Sequence, residues 1–303
     1  MKGRGKRKWQ ESAWLLGICE KGLDDLKAGR IHWIHNGVFE KKKWFADPFL
    51  LDADEKEIRL LVEEFDYQVH RGRIARIVVD RTDWTVKDCR ILLDLETHLS
   101  FPMIWRESGT VFVCPENYQS GGWDLYRYDD AAGRLERVGR LIDEKLTDAV
   151  LIRSGEAYVV LSTADPTPNG QHLRIYRSEA LKGPYRKVQD VRFEDNTARN
   201  AGMPFRYEGR WIRPAQESNY SYGHALVFQE MKVEDGGFSF EEIGRIYSPH
   251  SHFRFGIHTY NQLPDGLAVV DVKGDRFPFR GGLCRFVHES LVRLHLKRRY
   301  RFV

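Results

Sequence analysis

One motif, occurring five times, constrains this chain more than any other feature. Trp44-Phe45-Ala46-Asp47-Pro48-Phe49-Leu50-Leu51 is echoed by Ser100-Phe101-Pro102-Met103-Ile104-Trp105, Thr147-Asp148-Ala149-Val150-Leu151-Ile152, Gly202-Met203-Pro204-Phe205-Arg206-Tyr207 and Ile257-His258-Thr259-Tyr260-Asn261. Each copy is a short apolar run opened by a polar or small residue. Aligned on Pro48, Pro102, Ala149, Pro204 and Thr259, the copies step by 54, 47, 55 and 55 residues, the spacing of a propeller blade rather than of a helical repeat. Turns follow at Asp54-Glu55-Lys56, Ser108-Gly109, Ser154-Gly155, Glu208-Gly209 and Asp265-Gly266, four of them with the glycine that tight hairpins favour. Second apolar strands come next at 58–62, 110–114, 157–162, 210–213 and 267–270, and partly alternating third strands at 73–77, 123–128, 173–177 and 224–228. A pair of packed sheets has no reason to repeat at this period. The expected fold is therefore all-β: a five-bladed β-propeller of four-stranded antiparallel blades around a central channel.

With 303 residues, 42% hydrophobic and 13% aromatic, the chain has material for one such closed ring. The blades start near 46, 100, 147, 201 and 257. Residues 1–43 form a basic lead-in with a strand-like run from Ala13 to Ile18, of which Trp14 to Cys19 is able to close the ring, and 44–303 form the propeller. Blade 5 also reads as holding four strands of its own, at 257–263, 267–271, 283–288 and 291–296, so two modes of closure stand at this point. No run of about 18 apolar residues suggests a membrane span, and the basic N-terminus lacks the apolar core of a signal peptide, which makes the cytoplasm the expected compartment. Cys19, Cys89, Cys114 and Cys284 are scattered without metal-type spacing and are expected as buried free thiols. Net charge is +4, but residues 1–10 and 293–301 each hold five Lys/Arg and no acid; the body keeps 38 basic against 44 acidic groups, a net of −6. Those basic ends could rest weakly on an anionic membrane surface. No basic stripe crosses the aromatic-rich body, which argues against nucleic acid as a partner.

Propeller geometry then says where chemistry should gather. The first strand of a blade lines the channel and the second returns antiparallel, so the start of one and the end of the other share a rim. Strand starts bring Asp47, Ser100, Asp148, Asn200 with Arg199, and His258 there; strand ends bring Glu63 or Glu64, Glu116 with Asn117, Thr163, Gln216 with Glu217, and Asp271. A pocket with several carboxylates, an arginine and a histidine is where shifted pKa values and ligand contacts are expected. Arg199 suits either an anionic ligand group, bound through its planar fork, or a counter-ion role among the acids. Trp44, Trp105, Trp123 and Trp211 are most economically core, with one at the rim able to stack on a sugar ring.

Asp47-Pro48 opening blade 1 and Asp148 opening blade 3 resemble the paired aspartates of the five-bladed glycoside hydrolases of the arabinanase and levansucrase type, family 43 among them. That resemblance implies Asp47 as base or nucleophile and Asp148 as a pKa modulator. Gly256-Ile257-His258 is similar to the blade 5 histidine that faces an axial ion in some of those enzymes, which implies calcium or another ion near His258 and no other cofactor. The family's general acid lies two residues before the blade 4 proline, and here that position is Gly202. Glu64 or Glu116 becomes the provisional acid, since losing such help costs about 10²- to 10⁴-fold.

A second resemblance spans most of the chain. Trp44 to Phe49, Val62-Glu63-Glu64-Phe65, Gly72-Arg73-Ile74, His98-Leu99-Ser100-Phe101-Pro102, Pro115-Glu116-Asn117, Ala198-Arg199-Asn200-Ala201-Gly202, Arg213-Pro214-Ala215-Gln216, Tyr222-Gly223 and His258-Thr259-Tyr260-Asn261 look like the propeller N-terminal to the glycosyltransferase domain of plant glucosamine inositolphosphorylceramide transferases, shared by stand-alone bacterial relatives. It implies a sugar-related propeller, with Ser100, Asn117, Arg199, Asn200, Arg213, Gln216, Tyr222, His258 and Asn261 as substrate-binding residues. The transfer chemistry belongs to a separate domain and is not carried over. Two functions are expected from the sequence: a glycoside hydrolase-like enzyme acting on a glycan or sugar-containing small molecule, or a non-catalytic glycan- or phosphoglycan-binding partner of a glycosyltransferase.

Overall fold

The computed structural model describes residues 12–164, 167–234 and 236–276. The chain opens with β1 (Ser12–Cys19), a short helix α1 (Gly22–Ala28) and β2 (His32–Trp33). Blade 1 is β3 (Lys43–Ala53), β4 (Glu57–Asp66), β5 (Arg71–Asp80) and β6 (Val86–Leu93); blade 2 is β7 (Ser100–Glu107), β8 (Thr110–Glu116), β9 (Trp123–Asp129) and β10 (Arg134–Ile142). Blade 3 is β11 (Leu146–Ser154), β12 (Ala157–Ala164), β13 (His172–Ser178) and β14 (Arg186–Arg192); blade 4 is β15 (Phe205–Tyr207), β16 (Arg210–Glu217), β17 (Ala225–Glu234) and β18 (Gly237–Tyr247). Blade 5 begins with β19 (Gly256–Gln262) and β20 (Ala268–Asp275). These make five antiparallel four-stranded sheets, a five-bladed β-propeller.

The fifth sheet runs β19-β20-β1-β2. β1 pairs antiparallel with β20 along its whole length, from Ser12 opposite Asp275 to Cys19 opposite Ala268, and Gly17 pairs with Trp33 of β2. Two strands of the segment that the sequence sets apart as a lead-in, β1 and β2, thus form the outer half of blade 5, and the ring closes by pairing early chain with late chain. The alternative strands at 283–288 and 291–296, both basic ends and Cys284 lie outside the described residues. Among the described residues no helix is long and apolar enough to cross a membrane.

Apolar side chains pack between neighbouring blades. Phe101, Met103, Val150 and Leu161 fill one such core, Leu16, Ile18, Phe45 and Leu60 a second, and Phe205, Phe228, Tyr260 and Val270 a third that also takes Leu23 and Leu26 of α1. Cys19 and Cys114 are buried free thiols and Cys89 is half-buried; burial pushes the Cys19 thiol up to about 12 and that of Cys89 up to about 11.

The sequence repeat has a backbone counterpart at the channel. In β3, β7, β11 and β19 the ladder slips at the same place, between Ala46 and Phe49, Ser100 and Met103, Thr147 and Val150, and Ile257 and Tyr260. At this bulge Asp47, Phe101 and Asp148 adopt φ of 49°, 43° and 43°, a conformation that side chains bearing a Cβ hold only when the surroundings enforce it. The amide so turned out of its own ladder reaches the preceding blade. Asp47 N–H donates to Asp271 Oδ2 at 2.9 Å, Phe101 N–H to Asp47 Oδ2 at 3.1 Å, and Asp148 N–H to Glu116 Oε2 at 2.8 Å. Acidic side chains therefore pin one blade to the next, because a buried amide outside the ladder needs an acceptor.

Candidate functional site

The rim shared by strand starts and strand ends encloses a cleft of about 240 Å³. Its walls are aromatic, with Trp14, Trp44, Phe65 and Tyr222, and its polar groups are Asp47, Glu63, His98, Ser100, Glu116, Arg199 and His258. It opens into a second lobe of about 410 Å³ bordered by Tyr118, Gln119, Thr147 and Pro168, with His98, Glu116 and Arg199 common to both.

Asp47 is only 3% exposed. Its Oδ2 accepts the Phe101 amide, its Oδ1 accepts the Thr259 hydroxyl at 3.0 Å, and His258 Nε2 stands 3.6 Å away. Burial raises its pKa to about 6; His258 pulls against that rise, while Asp148 and Asp271 add to it. The imidazole of His258 is stacked on Trp14 with centroids 3.8 Å apart, and its Nδ1 lies 2.8 Å from Asp271 Oδ1. Burial alone would depress its pKa, but Asp271 and Asp47 hold it above the usual histidine value.

Asp47, His258 and Asp271 each place a ligand-type atom within 4.8 Å of the others, and all three are buried. Their donors are already in use. Asp271 Oδ1 accepts from His258 and Thr259 amides and faces Nδ1, Asp271 Oδ2 accepts the Asp47 amide, and both Asp47 oxygens accept hydrogen bonds. Calcium takes six to eight oxygens, which this closed triad does not offer. These three side chains by themselves do not fit the axial calcium that the first resemblance implies.

Asp148 is buried behind the cleft wall rather than on it. Its Oδ2 accepts from Arg199 Nε and Gln216 Nε2, each at 2.6 Å. Arg199 also reaches Glu116 Oε2 at 3.4 Å and Asn169 Oδ1 at 2.7 Å, with its guanidinium 5.1 Å from the centre of the Tyr222 ring. It is thus a counter-ion to two acids that also walls the cleft. Burial, then Asp148, raises the Glu116 carboxyl well above its usual range, with Arg199 opposing.

Glu64 does not border the cleft. It faces the other side of β4, where it is fully buried and ion-paired with Lys43 and with Arg73 Nε at 2.9 Å; a carboxylate so held has no route to a ligand. Its neighbour Glu63 borders the cleft instead. Of the nine residues expected to bind substrate, Ser100, Arg199, Tyr222 and His258 border the cleft; Asn200, Gln216 and Asn261 bridge neighbouring blades, Arg213 is bound within blade 4, and Asn117 lies in the turn after β8. Asn200 Nδ2 donates to the Asp148 and Leu161 carbonyls at 2.7 and 2.8 Å, and Asn261 Nδ2 donates to the Pro48 carbonyl at 2.8 Å. Gln216 bonds Asp148 and the Asn200 carbonyl, and Arg213 donates to Asn200 Oδ1, Gln229 Oε1 and the Ala198 carbonyl. Asn117 sits at the start of a short 3₁₀ turn, its carbonyl accepting from Ser120 Oγ at 2.8 Å. Amide and guanidinium groups belong in such places because strand ends at the channel leave carbonyls unpaired. Sequence reasoning missed Trp14, Phe65 and His98 as cleft residues, although Phe65 and His98 lie inside quoted motifs; Trp14 reaches the cleft only through closure of the ring.

The family described as glucosamine inositolphosphorylceramide transferase 1, N-terminal, matches residues 35–248, more than half of the chain. Glucosamine inositolphosphorylceramide transferase 1 of Oryza sativa subsp. japonica is 28% identical over 253 residues, covering 77% of this chain and 33% of that protein. Its Arabidopsis thaliana counterpart is 28% identical over 256 residues, covering 77% and 32%. The chain therefore spans about a third of the length of these relatives. Among solved structures, a family 117 glycoside hydrolase produced by the marine bacterium Zobellia galactanivorans superposes with a TM-score of 0.52 at 10% identity, over 88% of this chain and 92% of that one. An exo-beta-1,3-galactanase from Phanerochaete chrysosporium, solved with galactose, gives 0.50 at 10% identity over 75% and 60%. At such identities the likeness is one of fold.

Proposed function

The chain belongs to the glucosamine inositolphosphorylceramide transferase 1 N-terminal family, and from that premise we propose that it is a carbohydrate-active propeller that hydrolyses a glycosidic bond in a glycan or glycoconjugate held at the channel mouth. The observation that carries the reading is the convergence of three carboxyl groups, Asp47, Glu63 and Glu116, on one aromatic-walled cleft. Glycoside hydrolysis needs a carboxylate and a carboxylic acid facing the same bond. Asp47 serves as base or nucleophile. Asp148 acts from behind as modulator, through the shared Arg199. The proton donor comes from the same wall, where Glu116 stands and Glu64 does not. Trp14, Trp44 and Tyr222 offer apolar ring faces suited to a sugar.

A second reading has one observation in its favour. Asp47, Glu116 and Asp271 each accept a bulge amide from the next blade, so these acids serve the architecture whether or not they serve chemistry. On that reading the protein binds a glycan or phosphoglycan as partner of a glycosyltransferase. A panel of 4-nitrophenyl glycosides and a glycan array separate the two. In the hydrolase, Asp47→Asn loses about 10²- to 10⁴-fold in turnover while array binding survives. Array binding by the unaltered protein with no turnover of any glycoside establishes the second reading and removes the first.

A further inference from the structure

Glu63 differs from the other acids of the cleft in how it is held. β4 sets it opposite Ala46, the residue before Asp47, so both enter the cleft from one blade. Its Oε1 is buried without a hydrogen bond of good geometry among the described residues, and the nearest donor is His98 Nε2 at 3.3 Å. Glu116, whose carboxyl burial also raises, differs in being held by partners: it already accepts the Asp148 amide and faces Arg199.

His98 is fixed in one tautomer. Its Nδ1 lies 2.9 Å from the Gly72 amide, which can only donate, so the ring proton is on Nε2, the nitrogen that stands 3.3 Å from Glu63 Oε1. The main chain at residue 98 is held in turn by Gln119 Oε1, which accepts the His98 amide at 2.9 Å. Gly72 is required for this approach, since a Cβ there would come 2.4 Å from the Leu99 carbonyl, 2.6 Å from Glu63 Oε1 and 2.8 Å from His98 Cε1. Burial lowers the His98 pKa and keeps the ring neutral. The nearest charges acting on Glu63 are acids, Asp47 on β3, Glu116 on β8, Asp271 on β20 and Asp148 on β11, while the cations of the same cleft are Arg199 at the blade 4 start and His258 on β19. Burial first, and these acids next, raise its pKa well above the carboxylate range. The surroundings thus favour the protonated form of Glu63 beside Asp47, whose carboxyl burial raises to about 6; two acids with different proton occupancies are what acid–base hydrolysis uses.

We propose that Glu63, oriented by His98, is the proton donor of this site and replaces the acid that blade 4 lacks. The inference rests on the hydrolytic reading above. In the step, the anomeric carbon–oxygen bond breaks with its electron pair on the oxygen, which takes the Glu63 proton. Water supplies hydroxyl to the anomeric carbon, and the water's other proton is taken up by the carboxylates. The departing portion of the glycan occupies the second lobe, whose shared wall includes His98. His98 is a positioning residue.

The test compares leaving groups. With methyl and 2,4-dinitrophenyl glycosides of whichever sugar is turned over, Glu63→Gln loses about 10²- to 10⁴-fold on the methyl glycoside and little on the dinitrophenyl one, whose leaving group departs without a proton. The basic limb of the kcat/KM pH profile disappears in Glu63→Gln and moves to higher pH in His98→Phe, which lacks the N–H that favours ionised Glu63. Equal loss on both substrates overturns the proposal, as does a leaving-group pattern found in Glu116→Gln instead. A carboxylic-acid infrared band at neutral pH must weaken in Glu63→Gln, and an unchanged band overturns the assignment regardless of turnover. If the unaltered protein cleaves no glycoside, the hydrolytic reading itself fails, an outcome distinct from these.

Discussion

Blades 1 and 4 reach the same channel with opposite chemistry. Blade 1 contributes two carboxyl groups to the cleft, Asp47 and Glu63, whereas the start of blade 4 contributes the guanidinium of Arg199 and then Ala201 and Gly202. Further along, blade 4 buries a second cation, Arg213, whose acceptors are neutral oxygens of Asn200, Gln229 and Ala198; burial alone brings its pKa down to about 9. The contrast teaches that the acids of the channel are answered from other blades: Arg199 at the blade 4 start pairs Asp148 and Glu116, and His258 of blade 5 faces Asp47 and Asp271. Five acids crowd the channel, and Arg199 and His258 are the cations that the described residues set among them.

Removing that answer has the largest expected effect. Arg199→Met leaves Asp148 and Glu116 buried without their cation, and breaking a buried pair from one side costs about 3–5 kcal/mol. Urea unfolding checks this; a loss below about 1 kcal/mol, typical of a surface pair, dissolves the contrast between the blades.

The acid side can be probed by pH alone. Asp47 moves from an ordinary value of 3.8 to about 6 on folding. Below both values each state holds the proton; between them the unfolded chain has released it and the folded chain has not. Stability therefore falls as pH rises through this window, by about 3 kcal/mol for this one group. Asp47→Asn should flatten the slope measured between pH 4 and 7, gaining stability relative to the parent at the upper end. A variant whose slope equals the parent's shows that Asp47 is not the buried acid its surroundings make it.

The blade 4 start is tested by placing a carboxyl at Gly202. Gly202 has φ of 151°, and a Cβ there would sit 2.0 Å from the Tyr260 carbonyl oxygen. The approach is close because Tyr260 N–H donates to the Ala201 carbonyl at 2.7 Å, pressing the inner strand of blade 5 against this segment. Gly202→Glu should create no acid and lower stability by about 1–3 kcal/mol from the backbone alone, seen as a lower Tm. The glycine is thus a packing requirement.

The period made the propeller legible because each copy carries its turn and partner strand with it, a pattern only a repeated unit produces. The bulge was not legible, since positive φ falls on Asp47, Phe101 and Asp148 rather than on glycine. The choice between Glu63 and Glu64 failed for a related reason. β4 is buried on both faces around them, so alternation gives no sign of which side meets the channel. The register offers the missing signal: Glu64 lies opposite Arg73 of β5, an opposite-charge cross-strand pair that occupies it. Asn200, Gln216 and Asn261 were read as ligand contacts because polar residues at a channel suggest a ligand, yet the channel's own unpaired carbonyls claim them first.

The smallest expected effect lies in the aromatic wall of blade 1, which blade 4 matches only with Tyr222. Trp44 is stacked face to face on Phe65 with centroids 4.7 Å apart and planes within 1°, and both border the cleft. An aromatic face contributes about 0.5–1.5 kcal/mol beyond the area it buries, so Trp44→Ala should weaken the binding of an array-selected glycan by roughly 2- to 12-fold. Because Trp44 carries no titratable group, the pH profile and the leaving-group dependence should stay as they are. Loss of binding without a change in pH response places Trp44 in the wall that receives the sugar, while a shifted profile means that the wall also sets the environment of Asp47 and Glu63.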